Sequence, residues 1–89
     1  MPMYLIAFEN HEDRESALHK LLAEWEAQQL LGSAWLAEVS DNARTVMRAL
    51  QRASDQDAAF AVIELKRGAK WALSENVYGR GYDWLLSHL

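Results

Sequence analysis

Two short segments of this chain are apolar on both of the faces that a β-strand would present. They are residues 4–9 and 58–65. Successive side chains of a strand point to opposite sides, so Tyr4, Ile6 and Phe8 would share one face, and Leu5 and Ala7 the other. A strand that is apolar on both faces has to be covered on both sides. The chain is therefore expected to fold around a sheet with two buried faces.

The remaining segments predict helices and further strands around that sheet. Residues 34–39 alternate as a strand, and residues 70–73 follow a glycine turn as a short one. Residues 11–25 and 43–53 carry apolar stripes at helical spacing, and residues 82–89 form a short amphipathic end. Residues 28–31 either extend the first helix or form a strand of their own. One domain, residues 1–89, follows, with two helices on one face of an open sheet.

Two helices cover only one face of such a sheet, and the other face would still expose aromatic and aliphatic side chains. A patch of that size is normally buried by association. The first expectation is a homodimer with two-fold symmetry through the sheet faces. The alternative is that the C-terminal segment folds back over its own sheet.

The amino-acid composition limits the kinds of ligand and partner that the protein can have. The chain has no cysteine, which excludes disulfides and thiolate zinc sites. It shows no signal peptide and no membrane span, so no membrane partner and a cytoplasmic location are expected. The net charge of −4 argues against a generic nucleic-acid coat. However, residues 1–41 hold two basic and eight acidic side chains, whereas residues 42–89 hold seven basic and five acidic ones.

Three stretches carry a resemblance to a known family. They read YLIAFE at residues 4–9, LLGSAWLA at 30–37 and DAAFAVIEL at 57–65. They resemble the small CRISPR-associated nucleases that accompany the spacer-acquisition integrase, and still more the stand-alone bacterial relatives of that family. The virulence-associated protein D toxins share the same fold. The resemblance covers most of residues 3–73.

This resemblance implies a ferredoxin-like α/β sandwich, a short strand at residues 28–31 and a dimer through the sheets. Nucleases of the family carry an aspartate at the tip of the first strand, where two copies hold Mg²⁺. The matching residue here is Glu9, the one catalytic and metal-binding candidate. Its extra methylene displaces the carboxylate oxygens, and Mg²⁺ demands near-ideal octahedral geometry. The resemblance thus implies a Mg²⁺ site at the dimer axis, but with the carboxylate oxygens of Glu9 placed differently from those of the family's aspartate.

Basic residues form the second candidate site. Arg44, Arg48 and Arg52 are spaced by four, which places them in one row along the second helix. Lys66, Arg67 and Lys70 follow the last long strand. These six side chains could contact the phosphates of DNA or RNA, and the competing interpretation of the row is an ordinary solvated helix face.

Three functions remain open at this point. The first is a nucleic-acid-binding homodimer with weak or no catalysis. The second is an active Mg²⁺-dependent endonuclease or toxin that uses paired Glu9. The third is a protein-interaction dimer with no nucleic-acid role. The sequence does not decide whether the protein is an enzyme.

Overall fold

Four strands and three helices make up the protein in the computed structural model, which describes residues 1–9, 17–54, 59–77 and 79–89. The elements in chain order are β1 Met3–Phe8, α1 Ala17–Glu24, β2 Gln28–Leu31, β3 Ala34–Glu38, α2 Ala43–Ala53, β4 Phe60–Leu65 and α3 Arg80–His88. The strands form one sheet in the order β2-β3-β1-β4, and every neighbouring pair is antiparallel. The domain is therefore a mixed α+β structure, compatible with the expected ferredoxin-like sandwich.

The central strand β1 is paired along its whole length with β4. Met3 lies opposite Leu65 at one end and Phe8 lies opposite Phe60 at the other, without a break in register. On its other side β1 pairs with β3, where Met3 lies opposite Glu38. The apolar sequence of β1 fits this central place, because both of its edges and both of its faces are covered.

The first core lies between the sheet and the pair α1 and α2, on one face as predicted. Tyr4, Ile6 and Phe8 of β1 meet Leu18 and Leu22 of α1. Val46 and Leu50 of α2 complete this buried cluster. Burying a large apolar side chain contributes roughly 1.5–3 kcal/mol, so this layer accounts for much of the stability.

The second core lies on the opposite face and is closed by the C-terminal segment. Trp84 and Leu85 of α3 are buried against Met3 and Leu36 of the sheet. Partly buried side chains pack around this cluster: Leu5, Leu30, Leu65, Trp71, Leu73 and Leu89. The fold-back that the sequence offered as an alternative thus covers much of this face, and the argument for a dimer from a bare face is reduced accordingly.

The predicted strand at residues 70–73 is wrong. The turn before it forms, with the Ala69 N–H donating to the Lys66 carbonyl at 3.0 Å and Gly68 at φ +84°. After the turn the chain runs as coil. Trp71 and Leu73 are partly buried against the second core, so this segment contributes to packing without forming a strand.

The other predicted elements agree with the structure within a residue or two. The open choice at residues 28–31 resolves to the strand β2, and the helix at residues 43–53 is α2. The predicted start of the first helix at residue 11, and residue 58 of the last long strand, lie outside the described residues. Within the described ranges, no helix is long and apolar enough to cross a membrane.

Candidate nucleic-acid interface

Helix α2 presents the arginine row, which we define as Arg44, Arg48 and Arg52, on its outer face. Asn42 caps the helix, its Oδ1 accepting from the Thr45 N–H at 2.9 Å. Val46 and Leu50 are buried inward, and all three arginines are exposed. At 1.5 Å of rise per residue the row is about 12 Å long. This length is comparable to that of three or four nucleotides of one strand, at roughly 3.4 Å each.

Helix α2 itself supplies no negative charge to offset the arginine row. Helix α2 reads ARTVMRALQRA and has no acidic residue. Among the described residues, none of the three guanidinium groups has an ion-pair partner. The outer face of α2 therefore carries three positive charges on a chain whose net charge is −4. This local excess of positive charge would attract a polyanion to the outer face of α2.

The basic turn, which we define as Lys66, Arg67 and Lys70, lies beyond the end of β4, and all three side chains are exposed. Lys66 and Arg67 stand at the same end of the sheet as the start of α2. A hydrogen bond connects the two segments, because the Tyr4 hydroxyl donates to the carbonyl oxygen of Asp41, just before α2, at 2.5 Å. In the sheet Tyr4 lies opposite Glu64, two residues before Lys66. The structure thus brings Lys66 and Arg67 to the Arg44 end of the row.

Tyr4 is the one described group at this end whose pKa is displaced. Its side chain is fully buried, and burial raises the pKa of Tyr4 above the ordinary value of 10.0. The negative charges of Glu64 and Asp41 raise the pKa further. The phenol therefore stays neutral and keeps its hydrogen bond to the loop that starts α2.

Glu9 lies at the opposite end of the sheet from the basic turn. It directly follows β1 and is exposed. Lys66 follows β4 at the other end, about seven residue steps away, which corresponds to roughly 23 Å along an extended strand. Glu9 borders a shallow depression together with Ser33 and Ala59. The structure therefore does not bring Glu9 and the basic turn into one site.

The described residues of a single chain do not form a magnesium site. Across the described ranges, no group of three or more His, Cys, Asp or Glu side chains could hold a metal ion. Glu9 offers one carboxylate among apolar neighbours such as Phe8, whose ring packs on Phe60 at a centroid distance of 5.6 Å. Mg²⁺ bound by a protein uses one or two carboxylates together with water and substrate phosphates. Among the described residues of one chain Glu9 supplies a single carboxylate, and the two-carboxylate site that the resemblance implies would need the Glu9 of a second copy.

The sequence analysis missed a histidine–glutamate pair near the basic turn. His88 Nε2 lies 2.7 Å from Glu38 Oε1, and His88 Nδ1 lies 2.8 Å from the Trp84 carbonyl oxygen. The imidazole stacks on the Trp84 indole at 4.1 Å between centroids. These contacts fasten the last turn of α3 to the end of β3. The spacing of four between Trp84 and His88 is a visible signal of the stacking, but Glu38 is 50 residues away and only the fold reveals it.

That pair borders a polar cavity of about 530 Å³. Its walls also include Glu64, Lys66 and Arg67. Because carboxylates and cations share this lining, the cavity has no clear preference for one sign of charge. It places the basic turn beside the end of α3, which the sequence did not predict.

Comparisons with known proteins leave the family of this chain open. The chain matches no protein-family model, no curated protein and no solved structure at a significant level. The class that the fold defines is an α+β domain with a four-stranded antiparallel sheet and three helices.

Proposed function

We propose that this protein binds nucleic acid through the arginine row of α2, with the basic turn as an extension of the same surface. The proposal includes a ferredoxin-like homodimer with little or no cleavage, in keeping with the resemblance to the small CRISPR-associated nucleases. The observation that carries it is the row of three exposed arginines on a helix without acidic residues, none of which has an ion-pair partner among the described residues.

The ferredoxin-like part of the proposal is supported by topology. The order of β1, α1, β2, β3, α2 and β4, with the sheet order β2-β3-β1-β4, is consistent with two split βαβ halves. Helix α3 is an addition to that pattern. The homodimer is supported by the apolar surface that α3 leaves open, where Ile63 of β4 is 53% exposed.

Little or no cleavage is proposed because the described residues lack a catalytic set. Phosphodiester hydrolysis of the expected type needs carboxylates that hold a metal beside the phosphate. Glu9 stands alone among the described residues of one chain, roughly 23 Å along the sheet from Lys66. A nuclease of the expected type would need carboxylates from a second copy.

The first prediction concerns the salt dependence of binding. Binding of a short duplex by the unmodified protein should weaken as salt rises, because each phosphate that is neutralised releases counterions. Arg48→Ala should reduce the slope of log K against log salt by about 0.9 for each copy of Arg48 that contacts a phosphate. Fluorescence anisotropy of a labelled duplex at several salt concentrations measures this slope.

Arg80→Ala is the matched control. Arg80 is an exposed arginine at the start of α3, on the other side of the sheet, and its removal changes the net charge by the same amount. Its slope should equal that of the unmodified protein. Equal losses in both variants would indicate a general charge effect, and absence of binding at low salt would leave the protein-interaction dimer as the better hypothesis.

A further inference from the structure

The two edges of the sheet are very different in how they are protected. The β2 edge is short, its register shifts between Gln29 and Leu31, and α3 packs against it. A Cβ on Gly81 of α3 would lie only 2.7 Å from the carbonyl oxygen of Gln29. A short strand, an irregular register and a covering helix are the usual means by which a sheet edge is kept from pairing with other chains.

The β4 edge has none of these protections among the described residues. Its sequence FAVIEL contains no proline, lysine or arginine, and its register with β1 is regular throughout. No described backbone group bonds to the outer side of the strand. Beside this edge, on the face that α3 packs on, Ile63 is 53% exposed and Ala61 is exposed as well. Such an edge, regular, apolar apart from Glu64 and not hydrogen-bonded by any described backbone group, is a template for strand addition.

We infer that the β4 edge pairs with the β4 edge of a second copy, antiparallel about a two-fold axis at Ile63. The pairing joins two four-stranded sheets into one of eight strands. It differs from the sheet-face dimer expected from the sequence, because α3 already covers much of that face.

The sequence of β4 is complementary to itself in this register. Ile63 meets the Ile63 of the other copy, and Ala61 meets Leu65, so one face gains apolar pairs. On the other face Glu64 lies opposite Val62. A register with the two-fold axis at residue 64 would place Glu64 directly opposite the Glu64 of the other copy. Like charges that lie directly opposite each other are destabilising. A second copy therefore fits this edge through its own side chains, without an unknown partner.

This assembly also has a consequence for binding, which rests on the proposed function. An axis perpendicular to the sheet keeps the α1 and α2 layers of both copies on the same side. Helix α2 packs against β4, the strand nearest the axis. The two arginine rows would thus lie on one side of the assembly and offer six guanidinium groups to a single nucleic-acid molecule.

Cross-linking of Ile63→Cys tests the register directly. Opposed residues of antiparallel strands have Cα atoms about 4.5–5.5 Å apart, within the range that a disulfide bridges. The chain has no other cysteine, so any bond formed links two copies. With diamide as oxidant at micromolar protein concentration, we expect most of the chain to run at twice its mass of 10.2 kDa on a denaturing gel.

Ala59→Cys is the matched control. Ala59 is also exposed, but in the inferred register the two copies of residue 59 are eight steps apart, about 27 Å. It should remain monomeric under the same oxidation. Equal cross-linking of both variants, or of neither, would overturn the inference. A monomeric mass by light scattering for the unmodified protein at 50–100 µM, roughly the range for a weak dimer, would overturn it as well.

A second variant separates this inference from the proposed function. Ile63→Lys places two ammonium groups against each other at the axis and should give a monomer, whereas Leu86→Lys changes an equally exposed leucine of α3 and should leave the dimer intact. In duplex binding, the monomer should show about half the salt slope of the dimer. If no variant binds nucleic acid while the cross-link forms, the proposed function fails and the edge pairing stands.

Discussion

At the scale of single residues, Tyr4 links the sheet to the start of α2. Its ring lies in the first core, and its hydroxyl reaches the Asp41 carbonyl one residue before the cap of the helix. The sequence predicted that the ring would share a face of β1 with Ile6 and Phe8, because alternation is a local property. It did not predict the hydrogen bond, because the two residues are 37 positions apart and meet only in the folded sheet.

Tyr4→Phe should lower the free energy of unfolding by about 1 kcal/mol near neutral pH, the usual contribution of one such hydrogen bond. Above pH 10 the difference should shrink. The pKa of Tyr4 is raised in the folded state, so the unfolded chain loses this proton first and the stability of the unmodified protein falls as pH rises. Urea unfolding between pH 7 and roughly pH 11 measures both effects.

Tyr82→Phe is the control for this prediction, because it removes the hydroxyl of an exposed tyrosine instead of the buried one. The alkaline loss of stability should be the same in Tyr82→Phe as in the unmodified protein. An alkaline loss that is equally steep in Tyr4→Phe would contradict the assignment to the buried phenol.

At the scale of elements, the close contact between α3 and β2 depends on a glycine. Gly81 is buried, and a Cβ there would lie 2.7 Å from the Gln29 carbonyl oxygen and 2.8 Å from the Leu30 Cα. Both contacts are with backbone atoms, which cannot turn aside as the end of a side chain can. The sequence gives no reason for a glycine at residue 81, because the atoms that exclude a Cβ there belong to Gln29 and Leu30 of β2, far away along the chain.

Gly81→Ala should therefore destabilise the protein by about 1–3 kcal/mol, the usual cost of overpacking, despite the better helix propensity of alanine. Chemical denaturation followed by circular dichroism gives the difference. Gly32→Ala is the matched control, since a Cβ at Gly32 would meet nothing within 4 Å. It should stay within about 0.5 kcal/mol of the unmodified protein. Equal stability of the two variants would show that α3 does not approach β2 this closely.

At the scale of the whole molecule, the sheet separates two cores of different origin. The first core is built by β1, α1 and α2 and follows from the periodicity of the sequence. The second core depends on the return of the C-terminal segment across the sheet, with Trp84 at its centre. Periodicity predicted that residues 82–89 were amphipathic, but a short apolar stripe does not specify which surface it covers. The sequence also did not show that Glu9 and the basic turn lie at opposite ends of the sheet. Spacing along the chain does not tell at which end of the sheet a residue lies.

Trp84→Ala tests the contribution of the second core. Truncation of a buried tryptophan should cost about 3–5 kcal/mol, a large share of the stability of a domain of this size. Leu86→Ala is the control, because Leu86 is 58% exposed on the same helix and should change the stability by less than about 0.5 kcal/mol. Thermal unfolding by circular dichroism compares them. A loss below about 1 kcal/mol for Trp84→Ala would mean that α3 contributes little to the fold.

Strand β1 belongs to both cores at once. Tyr4, Ile6 and Phe8 fill one layer, while Met3 and Leu5 fill the other, and both edges of the strand are bonded to neighbours. Five of the six residues of β1 therefore belong to one core or the other, and a substitution at any of these five would disturb packing. We therefore expect the segment YLIAF to change more slowly in evolution than the exposed faces of the helices. It should remain recognisable in distant relatives of this protein.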